Sequence, residues 1–243
     1  MNGVLYLIPN SLGPGALDHV IPAPVREVTA SLDYFIAENA KTARAFLKLV
    51  TETHPLCKAM QDIEIRELNV RTATADIPAL LAPLMAGRPA GLLSEAGVPA
   101  VADPGADLVR LAHEKQITVK PLVGPSSLLL ALMASGLNGQ SFAFQGYLPT
   151  DAGQRAQRLK QLEQRSRQEK QTQIFIETPY RNEALLEAMA THCASSTLVC
   201  IATDLTLPGE SVRTQTAASW KQQLSSGQIP DFRKKPTVFL LLA

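Results

Sequence analysis

The stretch SEAGVPAVADPG, residues 94–105, decides the fold through its neighbours on either side. It directly follows AGLL (90–93), an apolar run typical of a buried strand, and a helical pattern, ADLVRLAHEK (106–115), comes next. A strand, a loop rich in Gly and Pro, and a helix make up the repeating unit of parallel α/β sheets. The loop also carries two acids, Glu95 and Asp103, at the carboxyl end of a strand, where such sheets bind ligands.

The same alternation of apolar runs and helical patterns extends along the chain. Strands are predicted at 4–9, 32–38, 90–93, 117–124, 142–149, 173–178, 197–205 and 237–243. Helices are predicted at 41–50, 77–88, 106–115, 127–137, 153–170, 182–193 and around 219–227. This order predicts two α/β domains, 1–124 and 125–243, with largely parallel or mixed sheets and a ligand cleft between them.

Composition and charge narrow the class of protein. The 243 residues are 46% apolar, enough to fill the cores of two small domains, and 23 Lys and Arg balance 22 Asp and Glu. The start, MNGVLYLIPN, lacks the basic segment of a signal peptide, and no run reaches the ~20 apolar residues of a membrane span. We therefore expect a cytoplasmic protein with no membrane contact. The three cysteines, Cys57, Cys193 and Cys200, are expected to be reduced and mostly buried.

Four loops rich in Gly and Pro follow predicted strands. They are PNSLGPGALD (9–18), SEAGVPAVADPG (94–105), VGPSS (123–127) and ETPYRN (177–182). Such loops let the backbone approach a ligand closely, so together they predict a small-molecule site. Any one of them alone is also explained as an ordinary tight turn between a strand and a helix.

The ordered set of motifs resembles the tetrapyrrole methylase superfamily, and most closely its ribosomal RNA 2′-O-ribose methyltransferase branch. The motifs are LYLIPNSLG (5–13), AENAKTAR (37–44), SEAGVPAVADPG, VGPSS followed by ASGL (134–137), GYLP (146–149), IFIETPYR (174–181) and ATDLT (202–206). The resemblance implies two α/β domains with S-adenosylmethionine in the cleft between them, usually in a homodimer. It implies ribosomal RNA, or the small ribosomal subunit, as the partner that is methylated. The cofactor contacts that it implies are Leu12, Glu95, Val98, Ser126, Ser127, Ile176, Ala202 and Pro236.

Three motifs depart from the pattern of the ribose branch. That branch reads EDTR where this chain has residues 38–41, ENAK, and SDAGTP where it has residues 94–99, SEAGVP. A basic run is replaced by residues 203–207, TDLTL. The altered groups belong mainly to the substrate face, so binding of the methyl donor is predicted more firmly than the acceptor.

Transfer of an activated methyl group to a ribose hydroxyl requires a group that accepts the hydroxyl proton. Glu38, Lys41 and Glu177 are the candidate catalytic residues, because each lies at or just beyond a predicted strand end. Arg181 is a candidate for binding RNA phosphate or a cofactor carboxylate. The alternatives are a helix cap or surface salt bridge for the first three, and an ion pair with Glu177 for Arg181.

The segment RAQRLKQLEQRSRQEK, residues 155–170, carries six Lys or Arg against two Glu. Arg155, Arg158 and Lys160 are candidate RNA contacts, although a solvated helix face explains the same pattern. Tyr147 and Tyr180 are expected to pack in the core rather than stack on bases. The His and Cys residues do not provide the four ligands of a zinc site, so no metal is predicted.

The sequence thus predicts a methyltransferase that acts on ribosomal RNA ribose. Two alternatives stay open. One is methylation of a tetrapyrrole or another small molecule, and the other is a module that binds the cofactor without catalysis.

Overall fold

The computed structural model describes residues 1–243 and divides into two compact units, Met1–Ser126 and Ser127–Ala243. The sequence analysis placed the boundary at Gly124, just before this division. Each unit contains one five-stranded sheet and four α-helices. The predicted α/β class with largely parallel or mixed sheets is confirmed: one sheet is parallel and the other is mixed.

The sheet of the first unit is entirely parallel, with strand order β3-β2-β4-β1-β5. Its strands are β1 (Val4–Ile8), β2 (Tyr34–Ala37), β3 (Glu64–Glu67), β4 (Ala90–Leu93) and β5 (Thr118–Pro121). Its helices are α1 (Ala23–Ala30), α2 (Ala40–Thr51), α3 (Ile77–Met85) and α4 (Ala106–Glu114). Parallel strands point the same way, so all five carboxyl ends lie along one edge of the sheet. We call this the carboxyl edge of the first unit.

The central strands are buried on both faces. Every residue of β2 and of β4 is buried, as expected for a parallel sheet covered by helices on both sides. Gly91 of β4 admits no side chain, because a Cβ there would lie 2.5 Å from Ile8 Cδ1 and 2.9 Å from Phe35 Cδ1. Helix α2 packs its apolar stripe, which includes Phe46 and Leu47, into the same core. Burial of each such side chain contributes about 1.5–3 kcal/mol.

The second unit has a mixed sheet with strand order β6-β7-β10-β8-β9. Its strands are β6 (Phe142–Tyr147), β7 (Thr172–Glu177), β8 (Leu198–Thr203), β9 (Ser211–Thr216) and β10 (Thr237–Leu242). Its helices are α5 (Ser127–Ser135), α6 (Ala152–Glu169), α7 (Asn182–His192) and α8 (Ala217–Ser226). Strands β6 and β7 are parallel, and β10 runs antiparallel to both β7 and β8. The core includes Trp220, whose indole Nε1 donates a hydrogen bond to Val199 O at 2.9 Å.

Three elements escaped the sequence analysis. Strand β3, EIRE, and strand β9, SVRTQT, lie at the edges of their sheets, where only part of the chain is buried. Their polar sequences therefore lack an apolar run. Helix α1, APVREVTA, was also missed, because two prolines interrupt the sequence at and before its start. No helix is both long enough and apolar enough to span a membrane.

Candidate functional site

Three of the four predicted loops meet at the carboxyl edge of the first unit. The loop after β1 and the loop after β4 are joined by a pair of backbone hydrogen bonds. Asn10 N donates to Gly97 O at 2.8 Å, and Gly97 N donates to Asn10 O at 3.2 Å. A Cβ on Gly124 would lie 2.2 Å from Pro9 Cγ, so the loop after β5 passes directly against the loop after β1.

Asn10 holds this junction through its side chain as well. Its Nδ2 donates to Ser94 O at 3.3 Å and to Glu95 O at 3.0 Å, and its Oδ1 accepts from Ser11 N at 2.8 Å. The residue is only 7% exposed, so these bonds are shielded from water. Sequence analysis did not single out Asn10. The sequence gives no signal for it, because Asn is common in the turns that follow strands.

Gly97 gives the junction its close packing. Its φ of +69° lies in the left-handed region, and a Cβ there would lie 3.3 Å from Leu12 Cδ2 and 3.7 Å from Pro125 O. The space beside Leu12 is therefore kept free of a side chain. Of the implied cofactor contacts, Leu12, Val98 and Ser126 are half-buried here, and Glu95 is exposed.

The loop after β4 also contains backbone strain. Ala100 and Ala102 have φ of 65° and 66°, a region that costs a residue with a Cβ about 1–2 kcal/mol. The glycines of the loop were expected to take such conformations, but the alanines were not. Strained backbone of this kind collects at functional sites.

Three carboxylates converge beside this junction, Glu38 after β2 and Glu95 and Asp103 after β4. Burial raises the pKa of Glu38, and the negative charges of Asp103 and Glu95 raise it further. Burial likewise raises the pKa of Asp103, with Glu95 adding to the effect. Thr42 Oγ1 lies 3.4 Å from Glu95 Oε1 and donates to it. The two acids of the opening loop thus belong to one cluster, and Glu38 is set up to accept a proton more readily than an isolated carboxylate.

Lys41 lies on the first turn of α2, three residues after Glu38, and it is exposed. Asn39 caps this helix, because its Oδ1 accepts hydrogen bonds from Lys41 N at 2.8 Å and Thr42 N at 3.4 Å. Asp and Asn cap helices about equally well. The departure at residue 39 therefore leaves the helix start intact.

A cavity of about 320 Å³ opens at the β3 end of the same edge. Its walls are the segment that follows β3 and the segment that leads into α4. Sequence analysis missed it, because residues 68–76 carry no motif and were assigned to no element. The lining residues are Leu68, Asn69, Val70, Thr72, Thr74, Ile77, Asp103, Pro104, Gly105, Ala106, Asp107 and Leu108.

In the second unit, Glu177 and Arg181 form an ion pair. Arg181 Nε lies 2.9 Å from Glu177 Oε1, and the same oxygen accepts from Thr178 N at 2.7 Å. The Glu177 side chain is 1% exposed. The structure therefore has the ion pair that the sequence left open as an alternative. The arrangement does not favour Glu177 as a proton acceptor or Arg181 as a free phosphate contact.

Three of the cofactor contacts that the family resemblance implies, Ile176, Ala202 and Pro236, lie near one another in the second unit. Val238 of β10 pairs with Ile176 of β7 on one side and with Ala202 of β8 on the other. Pro236 directly precedes β10, and its carbonyl accepts from Asp204 N at 3.1 Å. Ser127, the fourth, is the first residue of α5.

The basic helix α6 uses two of its three candidate RNA contacts internally. Arg155 Nη1 donates to Thr150 O at 3.0 Å, and Arg158 Nη2 donates to Gln145 Oε1 at 3.0 Å. Lys160 is exposed and takes part in no ion pair. The charge on this helix is therefore less available than its sequence suggested.

Two smaller predictions concern side-chain burial. Tyr147 and Tyr180 are 57% and 83% exposed, so the prediction that they pack in the core was wrong. Tyr147 is the last residue of β6, and Tyr180 lies just beyond β7, so both are at points where the chain leaves the core. All three cysteines are free, with Cys193 and Cys200 buried and Cys57 exposed.

Known proteins resemble this chain along most of its length. The family profile described as Tetrapyrrole (Corrin/Porphyrin) Methylases matches residues 4–220. The ribosomal RNA small subunit methyltransferase I of Streptococcus pyogenes serotype M3 is 34% identical over 206 residues, 84% of this chain and 66% of that protein. The protein of the same name from Xylella fastidiosa is 36% identical over 225 residues, 88% of this chain and 77% of that protein. The chain thus spans about two thirds of the length of the curated relatives that it matches.

A solved structure supports the fold. The uroporphyrin-III-C-methyltransferase from Thermus thermophilus superimposes with a TM-score of 0.53 at 19% identity, over 100% of this chain and 93% of that one. The two sheets define the class as a two-domain α/β fold shared with that structure. The chain belongs to the tetrapyrrole methylase family, as the profile match over most of its length shows. The resemblance drawn from the sequence is confirmed.

Proposed function

We propose that this chain is an S-adenosylmethionine-dependent methyltransferase that methylates ribose 2′-hydroxyls of ribosomal RNA. The main observation behind this proposal is made at the carboxyl edge of the first unit. There the loops after β1 and β4, which are hydrogen-bonded to each other, lie beside Glu38, a half-buried carboxylate with a raised pKa. The names of the curated relatives support ribosomal RNA of the small subunit as the substrate. Methyl donor and acceptor site are both proposals for this chain.

The first unit is proposed to hold the donor through Leu12, Glu95, Val98 and Ser126. The fit rests on the space that Gly97 leaves beside Leu12, which a Cβ would fill. In the second unit the proposed contacts are Ser127, Ile176, Ala202 and Pro236. When bound, the donor supplies a methyl group that its sulfonium centre already activates.

Glu38 is the proposed proton acceptor. The ribose oxygen would lose its proton to this carboxylate as its bond to the methyl carbon forms, while the bond from that carbon to the donor sulfur breaks and S-adenosylhomocysteine leaves. The raised pKa makes Glu38 a better base for a weakly acidic hydroxyl. Lys41, exposed on the first turn of α2, is proposed to hold the neighbouring phosphate or the developing oxyanion. Glu177 and Arg181 are proposed to stabilise the start of α7 as an ion pair rather than to take part in chemistry.

Arg155 and Arg158 give little support to an RNA face on α6, because both bond within the unit. That observation favours a second candidate function, methylation of a small molecule at the same edge. Under the RNA proposal, reversing the charge of Arg155, Arg158 and Lys160 lowers RNA affinity and flattens its salt dependence, while donor affinity stays unchanged. Under the small-molecule alternative the triple variant keeps full activity.

We also propose that the chain acts in the cytoplasm and as a homodimer, as the family resemblance implies. Helix α5 leaves Leu129 and Met133 55% and 77% exposed, one turn apart, which suits an apolar contact with a second copy. Analytical ultracentrifugation tests this part. A single species of the mass of one chain, at micromolar concentration, contradicts it.

The function is tested by transfer of tritium from methyl-labelled S-adenosylmethionine. The acceptor pools are total RNA, ribosomal particles and small-molecule extract, all from a strain that lacks the gene. Label in RNA that digests to 2′-O-methyl nucleosides is the expected result. Label only in the small-molecule pool selects the second candidate, and donor binding without any transfer indicates a module that has lost catalysis.

A further inference from the structure

The carboxyl edge of the first unit contains a cavity that neither the sequence motifs nor the comparisons assign to a ligand. It measures about 320 Å³ and lies between the segment after β3 and the segment that enters α4. Pockets that take small ligands begin at about 300 Å³, so this one suits a single ring system and is too small for a tetrapyrrole macrocycle.

The chemistry of the lining is specific. Leu68, Ile77 and Leu108, which are 5%, 7% and 0% exposed, supply an apolar floor. Asn69 and Thr72 lie in the lining, where Asn69 Oδ1 already accepts from Arg71 N and Thr72 Oγ1 from Asn69 N, so the second amide hydrogen of Asn69 and the hydroxyl hydrogen of Thr72 remain as donors. The carboxyl of Asp103 accepts hydrogen bonds. An apolar floor with donors and acceptors around it matches a flat heterocycle with a hydrogen-bonding edge.

The charges of the lining favour a hydrogen-bond donor over a phosphate as the occupant. No Lys or Arg lines the cavity, whereas Asp103 and Asp107 both do, Asp107 in an ion pair with Arg110 at 2.8 Å. The carboxyl of Asp103 would repel a phosphate, while the amino group of a base would find an acceptor there. Arg71, in the loop after β3, is exposed and takes part in no ion pair. Its charge is therefore free to bind the backbone phosphate of a nucleotide whose base occupies the cavity.

The position of the cavity along the edge gives it a role. The strand order β3-β2-β4-β1-β5 places Glu38, at the end of β2, between the cavity wall that follows β3 and the loops joined through Asn10. The far end of the loop after β4, residues 103–105, forms the other wall of the cavity. Asn69 Nδ2, on the cavity side, lies 3.5 Å from Glu38 O and donates to it. The cavity wall after β3, the proposed proton acceptor Glu38 and the loops proposed to hold the donor therefore follow one another along the edge. An acceptor nucleotide laid along it would place its base in the cavity and its ribose beside Glu38.

We infer that this cavity, lined by residues of 68–77 and 103–108, binds the base of the nucleotide that is methylated. The inference rests on the proposed function, since it assigns the acceptor of that reaction. It makes Asp103 and Asn69 residues that select the base, separate from the residues proposed to hold the donor.

The test is a nuclear magnetic resonance titration of the protein with the four ribonucleosides. S-adenosylhomocysteine is kept saturating, so that the donor site cannot take up adenosine. At least one nucleoside should shift amide signals in both wall segments. Thr74→Trp, which fills the cavity from its rim, should abolish these shifts. The matched control is Thr191→Trp, which fills a cavity of about 370 Å³ in the second unit and should leave the shifts intact.

Steady-state transfer to RNA supplies a second readout. Thr74→Trp should raise KM for RNA by about tenfold or more and leave donor affinity unchanged, because it removes binding to the acceptor alone. Thr191→Trp should change neither quantity.

The outcomes separate the two claims. No shifts in the wall segments at nucleoside concentrations up to about 10 mM, or equal shifts in Thr74→Trp, overturn the base site. Equal transfer to RNA by Thr74→Trp and wild type also overturns it and leaves the proposed function standing. Nucleoside shifts that Thr74→Trp abolishes, together with no transfer to any RNA, support the base site and contradict the proposed function.

Discussion

Replacing Asn10 by aspartate tests the junction of loops on which the proposed donor site depends. The change keeps the size and shape of the side chain but turns the donor Nδ2 into an acceptor oxygen. The two bonds to Ser94 O, at 3.3 Å, and Glu95 O, at 3.0 Å, are lost, whereas the bond from Ser11 N to the other oxygen can persist. Two buried bonds at about 1 kcal/mol each give a loss of about 2 kcal/mol in the free energy of unfolding of the first unit.

A further cost arises because Asn10 is 7% exposed and a carboxylate there would face two carbonyl oxygens. We therefore expect Asn10→Asp to lower the free energy of unfolding by about 2–4 kcal/mol and to weaken donor binding by about tenfold or more. Protonation of the introduced carboxyl restores one donor, so part of the affinity should return as the pH is lowered below its pKa.

The assay is urea denaturation followed by circular dichroism, with calorimetric titration of S-adenosylmethionine at several pH values. Tryptophan fluorescence does not serve, because the only tryptophan, Trp220, lies in the second unit. The control is Asn2→Asp, since Asn2 Nδ2 donates to Lys115 O at 3.2 Å on the exposed surface and should matter little. An Asn10→Asp protein with the stability and donor affinity of wild type would refute the role given to this side chain.

Three further variants test other parts of the edge. Burial and neighbouring carboxylates raise the pKa of Glu38, so its ionisation costs stability as the pH rises through that raised value. Glu38→Gln should therefore raise the midpoint of thermal unfolding at pH 8, but not at pH values below 4.5, the ordinary pKa of a glutamate. The rate of methyl transfer should fall. An unchanged rate contradicts the role of Glu38 as proton acceptor. Ser126→Trp should abolish donor binding with a near-native circular dichroism spectrum, and retained affinity would place the donor elsewhere. Ala100→Gly should relieve strain at φ 65° and stabilise by about 0.5–1 kcal/mol in urea denaturation, whereas Ala82→Gly within α3 should destabilise by about 1 kcal/mol. If both alanine variants changed the free energy of unfolding in the same direction, Ala100 would not be strained in the way described.

The buried parts of the fold could be predicted because burial leaves a mark on the sequence. AGLL and YFIA are apolar throughout because both faces of β4 and β2 are covered. The edge strands β3 and β9 leave no such mark, since their side chains are polar and only partly buried. Strand β3, EIRE, satisfies its pairing with β2 through the backbone, so its side chains were free to be polar.

The site was predictable as a region and less so as a set of contacts. Gly and Pro after strand ends located the loops correctly. The bonds of Asn10 to Ser94 O and Glu95 O depend on a separation of more than 80 residues, which only the folded sheet brings together. The ion pair of Glu177 with Arg181 spans only four residues and could be weighed from sequence. Its burial could not be predicted, and the buried ion pair is what supports the structural role proposed for Glu177.

Calorimetric titration of the purified chain with S-adenosylmethionine tests the central claim most directly. The measurement is made on wild type with a chelator present, and S-adenosylhomocysteine serves as the competing ligand. The account predicts saturable binding at one site per chain, displaced by the competitor and weakened in Ser126→Trp. No binding heat at high micromolar donor would contradict the claim that the carboxyl edge of the first unit holds a methyl donor.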